Sequence, residues 1–115
     1  MAARTKGTAS TTIEHKDGPR ADYVNVGTEN EVVDPPVVAV PTSAEKEKPM
    51  GLAGHSEGVT INMGSFQSYR IDSWVELPCP PAKLKEVSEW CERFVEKRLQ
   101  AACDRLAEKA QGKLR

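Results

Sequence analysis

Apolar and polar residues alternate with period two from Val59 to Leu77. Val59, Ile61 and Met63 form one apolar set. Tyr69, Ile71, Val75 and Leu77 form a second, with Ser73 between them, and Arg70, Asp72, Trp74 and Glu76 take the opposite phase. Such alternation predicts two half-buried antiparallel strands, each with one side turned to a core. The turn then decides the register. A two-residue Gly64-Ser65 turn would pair Ile61 with Ser68 and divide the apolar sets between two faces. A three-residue Gly64-Ser65-Phe66 loop pairs Met63 with Gln67, Ile61 with Tyr69 and Val59 with Ile71, so all share one face. That is the register we expect, although Phe66 then falls where such a loop favours a residue tolerant of positive φ.

Pro78-Cys79-Pro80-Pro81 removes ladder donors and ends the second strand, and Pro81 suits a first helical position. The period then changes. Leu84, Val87, Cys91, Phe94, Val95, Leu99, Ala102, Leu106 and Ala110 recur at steps of three and four, which predicts one long amphipathic helix to about Ala110, with Gly112 as its stop. Glu86, Glu89 and Glu92 come early and Arg105, Lys109, Lys113 and Arg115 late, as the helix dipole favours.

No comparable pattern occurs before residue 58. Residues 1–57 hold five of the eight prolines and a single aromatic, Tyr23, with six basic and nine acidic residues. A segment so poor in apolar periodicity is expected to stay disordered, since ordering costs roughly 1–2 kcal/mol per residue. Within it Val32-Val33-Asp34-Pro35-Pro36-Val37-Val38-Ala39-Val40-Pro41 is an apolar island, fit to be a stiff spacer or an extended docking strand. The expected architecture is therefore α+β. A disordered acidic tail (1–57) precedes a module (58–115) built from an antiparallel β-hairpin and one long C-terminal helix.

That module is short of core. A helix of about 30 residues is about 45 Å long, whereas strands of about eight residues reach about 27 Å. The uncovered stripe is expected to be completed by dimerisation or by a hetero-partner. Its interface would be Leu84, Val87, Trp90, Cys91, Phe94, Val95, Leu99 and Leu106, with Trp74, Trp90 and Phe94 as anchors.

Composition narrows the function. The 115 residues carry 16 Lys+Arg against 17 Asp+Glu, so net charge alone will not gather polyanions. No window approaches the length of a membrane span. Three cysteines, an odd count, do not make a disulfide scaffold, and a cytoplasmic setting with reduced thiols is expected. The N-terminus lacks the apolar region of a secretory signal; its Thr/Ser-rich, acid-poor start bears a faint likeness to a transit peptide.

Catalytic chemistry is not evident. Cys79, Cys91 and Cys103 are spaced by 12, and His15 and His55 lie in the tail, so no metal site or cysteine–histidine pair is expected. Phosphate-binding and nucleophile motifs are absent, and no cofactor or small-molecule substrate is expected. Two surfaces remain. Phe66, Tyr69, Arg70 and Trp74 gather aromatic and basic groups near the hairpin. Arg98, Arg105 and Lys109 belong to a late helix segment with seven basic residues against three acidic ones. Together they suggest a single-stranded nucleic-acid surface, although Asp72 and Glu76 share the Arg70 face.

The stretch Ile61-Asn62-Met63-Gly64-Ser65-Phe66-Gln67-Ser68-Tyr69-Arg70, followed by Leu77-Pro78 and the acidic–aromatic helix, resembles small bacteriophage- and prophage-encoded hairpin–helix proteins. The resemblance covers roughly residues 59–99. It implies an accessory role in a bacterial cytoplasm and carries no site residues. The expected function is a non-catalytic, oligomeric protein–protein interaction module. The alternatives are a single-stranded nucleic-acid-binding accessory protein and a small inhibitor of a host enzyme or defence complex.

Overall fold

The computed structural model describes residues 6–64 and 67–113. Four strands and one helix follow in order: β1 (Gly7–Asp17), β2 (Val24–Val33), β3 (Gly51–Gly64), β4 (Gln67–Cys79) and α1 (Leu84–Lys113). The strands form one antiparallel sheet in the order β2-β1-β4-β3, so β2 and β3 are its edges. The α+β class and the long C-terminal helix are as the sequence predicts.

The N-terminal half differs. Of the tail expected to be disordered, residues 1–5 lie outside the described residues, but 6–57 build more than half of the sheet. The expected boundary at residue 57 falls inside β3. The physical reason lies in β1. It runs between β2 and β4, so both of its backbone edges are hydrogen-bonded, and it buries Gly7, Ala9, Ser10 and Thr11 rather than large apolar groups. Thr11 Oγ1 and Ser73 Oγ, opposite each other in the ladder, share a buried hydrogen bond of 3.0 Å. Ladder pairing and close approach hold this strand, and neither registers as apolar periodicity.

The Val-Pro island belongs to the connection from β2 to β3, which passes from one sheet edge to the other. Val33 ends β2 in the core, and Ala39, in a 3-10 turn (Val37–Ala39), is fully buried while Val37 is exposed. Thr42 and Glu45 cap each other: the Thr42 N–H donates to Glu45 Oε1 (2.9 Å) and the Glu45 N–H to Thr42 Oγ1 (3.3 Å). Lys83 pins the segment to the start of the helix, donating to the Val40 carbonyl (3.0 Å) and pairing with Glu45 (3.3 Å).

β3 and β4 are far longer than eight residues. Their register contains the expected Ile61–Tyr69 and Val59–Ile71 pairs. Near the turn the structure departs from the expected loop. Gly64, not Met63, opposes Gln67, and the shift falls between Asn62 and Gly64. Gly64 has φ +76°, so a glycine takes a left-handed position in the turn; Phe66, expected at such a position, lies outside the described residues. Pro78 stays within β4, Pro81 opens a 3-10 turn, and α1 runs past the expected stop at Gly112 to Lys113.

Fourteen strand residues and thirty helical ones both span about 45 Å, so sheet and helix match in length. Val87, Cys91, Val95, Leu99, Ala102 and Leu106 are buried in one core with Ala9, Ala53, Ile71, Val75, Leu77 and Cys79. The stripe expected to need a second subunit is thus covered within the chain. Trp90 and Phe94 are half-buried at its flank, and Leu84 is exposed at the end of β3 beside Gly51. Among the described residues no helix is long and apolar enough to cross a membrane.

Candidate interaction surface on the open sheet face

The helix occupies one face of the sheet, and among the described residues nothing covers the other. Register places Asn30, Ser10, Trp74 and Ser56 in one row across β2, β1, β4 and β3. Val32, Thr8, Glu76 and Gly54 form the row on one side, and Thr28, Thr12, Asp72 and Gly58 the row on the other. Trp74, 40% exposed, is the single large ring in these rows, and its neighbours are small or polar. Val32 and Leu52 add apolar groups that are 67% and 63% exposed.

Two shallow hollows flank the indole. One, of about 400 Å³, is lined by Thr8, Asn30, Val32 and Trp74. The other, of about 520 Å³, is lined by Gly54, Ser56, Trp74 and Glu76. The β3 side is low because its neighbours stand too close for side chains. A Cβ on Gly54 would lie 2.9 Å from the Val75 carbonyl, and one on Gly58 would overlap the Asp72 carboxylate. Arg70 is paired with Asp72 at 3.2 Å, which leaves Glu76 and Glu14 against Lys16. Acids therefore outnumber bases on this face.

The sequence grouped Phe66, Tyr69, Arg70 and Trp74, and the structure divides them. Tyr69 faces the helix side, stacked on His15 with ring centroids 4.5 Å apart. Arg98 makes a two-pronged bond to Glu31 (2.6 and 3.0 Å) and lies 4.4 Å over the Phe94 ring, which in turn stacks on Trp90. Arg105 donates to Glu29 at 2.7 Å. Both arginines thereby fasten α1 to β2. The Lys109 side chain, like Phe66, lies outside the described residues. Of the described members of the expected nucleic-acid set, Trp74 and Arg70 alone share the open face.

Titratable groups elsewhere have structural surroundings. Burial and the neighbouring Cys79 thiol push Cys91 up to about 11, and burial pushes Cys79 up as well, so neither is an activated thiolate. The two histidines belong to the sheet rather than to a tail. His15 Nε2 is buried with no hydrogen-bond partner among the described residues, and His55 Nε2 meets Glu57 Oε1 at 2.6 Å. Glu57, Glu92 and Glu96 bring carboxylate oxygens within 4.8 Å of one another beside β3. These oxygens are the chain's one group with the donor type and spacing of a hard-cation site among the described residues. Nothing local in the sequence marks this cluster, because Glu57 lies 35 residues before Glu92 and only the sheet brings β3 beside the helix.

No family model, curated protein or solved structure matches the chain.

Proposed function

We propose that this protein is a non-catalytic interaction module that presents the open face of its sheet, centred on Trp74, to a protein partner. The observation that carries this reading is the placement of Trp74. The helix and the sheet face beneath it enclose Ile71, Val75, Leu77, Val87 and Val95, yet Trp74 stands 40% exposed on the other face, between small and polar residues and with Val32 and Leu52 also exposed there. Tryptophan is enriched among the few residues that carry most of the binding energy at protein interfaces. The acidic surplus of the face favours a partner that is neutral or basic at the contact.

A single-stranded nucleic acid is the second reading, since one exposed indole on a sheet offers a stacking platform. Against it stand the acidic surplus and the engagement of Arg98 and Arg105 within the chain. An inhibitory role towards a host enzyme is a special case of the first reading, and a phage accessory context would suit either.

Comparative affinity capture from the native host tests the proposal, with the intact chain, Trp74→Ala and the outward-facing helix variant Arg93→Glu as baits. A partner held by the intact chain and by Arg93→Glu, and lost with Trp74→Ala, is the expected result. Retention by all three would refute the assignment of the face. Titration with a labelled oligonucleotide at about 50 mM salt should show no binding; micromolar binding that falls steeply with salt would establish the second reading instead.

A further inference from the structure

The two edges of the sheet are unlike. β2 carries a register irregularity at Ile13–Glu14 in its pairing with β1, and its two acids are tied down by Arg98 and Arg105. β3 has fourteen residues, no lysine and no proline, and its outer edge has no partner strand among the described residues; its one acid, Glu57, lies on the helix side with Glu92 and Glu96, and its irregularity falls at the far end, between Asn62 and Gly64. Edges of this length are normally blunted by charge, proline or a bulge, because each offers a ladder to another strand. We propose that a second copy of this chain pairs antiparallel along β3, about a two-fold axis that passes beside Ser56.

The register follows from geometry. A two-fold between antiparallel strands runs normal to the sheet and keeps both helices on one side. It must be centred beside a residue, since opposed residues point to the same face. Centring on Ser56 sets His55 opposite the second copy's Glu57, and Glu57 opposite its His55, on the helix side. It also sets Gly54 opposite Gly58, and Ala53 opposite Val59. Centring on Glu57 would oppose two carboxylates, centring on His55 would oppose two imidazoles, and centring on Gly58 would set Glu57 against Val59. Like charges directly opposite are destabilising, and opposite charges or hydrogen-bonding pairs are favourable. The Ser56 register overlaps Gly51–Ile61 with its counterpart, enough for about ten backbone hydrogen bonds, the number found in an ordinary specific interface.

The same register has a consequence on the open face. Ser56 lies opposite Trp74 within one chain. Pairing therefore puts both Trp74 side chains in one row, three strand spacings or about 14 Å apart. Between them the floor is Ser56, Gly54 and Gly58 from each copy, so the two hollows beside β3 join into one trough walled by indoles. The pairing itself holds whatever the Trp74 face binds. Glu92 and Glu96 stand beside Glu57 and bring acid towards the seam, so added salt, by screening them, should not dissolve it.

Ser56→Cys in a Cys103→Ser background of the full chain tests the axis. Opposed Cα atoms in an antiparallel pair lie about 4.5–5.5 Å apart, within disulfide reach. Mild oxidation should link most of this variant into covalent dimers. Thr60→Cys, on the same face and strand but opposite Leu52 of the second copy, should stay unlinked. By sedimentation the native chain should be a dimer at about 50 and about 500 mM salt. His55→Glu, which opposes two acids twice per dimer, should weaken association about tenfold, and His55→Glu/Glu57→Lys should restore it. A monomer throughout overturns the proposal. So does equal linking of the two cysteine variants, or a dimer indifferent to His55→Glu.

Discussion

Small side chains set the closest approaches in this sheet. A Cβ on Gly7 would stand 2.5 Å from the Glu76 carbonyl and 2.6 Å from Leu77 Cβ, with backbone on one side and a fully buried side chain on the other. Gly7→Ala is therefore expected to lower stability by about 1–3 kcal/mol in urea unfolding, the usual cost of overpacking. The cysteines give a second check at this scale. Cys79 and Cys91 are buried and their thiols are harder to ionise than usual, whereas Cys103 is partly exposed. At pH 8 a maleimide should modify Cys103 alone in the native chain and all three thiols in urea; native labelling of Cys91 would contradict its surroundings. Ser73 shows how far single residues were legible. Its place among apolar positions of β4 was visible as a gap in the pattern, but its partner Thr11 was not, because a hydrogen bond across 62 residues leaves no local trace.

Local periodicity exposed the elements whose burial is written in large side chains. The step of three and four along α1 and the alternation of β4 predicted both elements and the Val59–Ile71 register. β1 and β2 escaped because β1 is held by ladders on both sides and β2 is exposed along nearly its whole length. The Thr42-Ser43-Ala44-Glu45 capping pattern was a readable sign that the connection to β3 is ordered. β2 also depends on its arginines. Arg98 holds the Glu31 carboxyl below its ordinary range, chiefly through the side-chain hydrogen bond. A carboxyl whose pKa is lower folded than unfolded contributes stability that is complete above its unfolded value and is lost as pH falls through the folded one. Both groups are about 40% exposed, so the contribution is below about 1 kcal/mol. Amide protection factors in β2, with exchange referred to the intrinsic rate at each pH, should therefore fall in Arg98→Ala/Arg105→Ala at pH 7, and in the native chain below about pH 4.5. Protection in β4 should change little, and an equal fall in both strands would show that the arginines do not act locally.

At the scale of the whole molecule, the elements run side by side over about 45 Å and the protein is long and narrow, 58 × 27 × 24 Å. Its radius of gyration, 17.9 Å, exceeds the roughly 13 Å of a compact chain of this length. Among the described residues such a shape has two layers and no third, which is why one sheet face is left open and why Trp74 stands on it. The sequence placed Trp74 on the polar phase correctly, but the extent of the face around it depends on β1 and β2, which were not legible. The same dependence decides what can fold. A fragment of residues 58–115 keeps the helix and β4 but cuts β3 in the middle and strips β1 from β4. It loses Ala9 and Ala53 from the core and the Thr11 partner of Ser73. It also bares the inner edge of β4 along ten paired residues, from Glu76 back to Gln67. A two-stranded remnant is marginal in water, and exposed edges of that length associate nonspecifically. The fragment is expected to show helical far-ultraviolet dichroism without a cooperative thermal transition and without dispersed amide resonances, whereas the full chain melts in one step. Resonances of 58–115 that superpose on those of the full chain would show instead that β1 and β2 are accessories to a hairpin–helix unit able to stand alone.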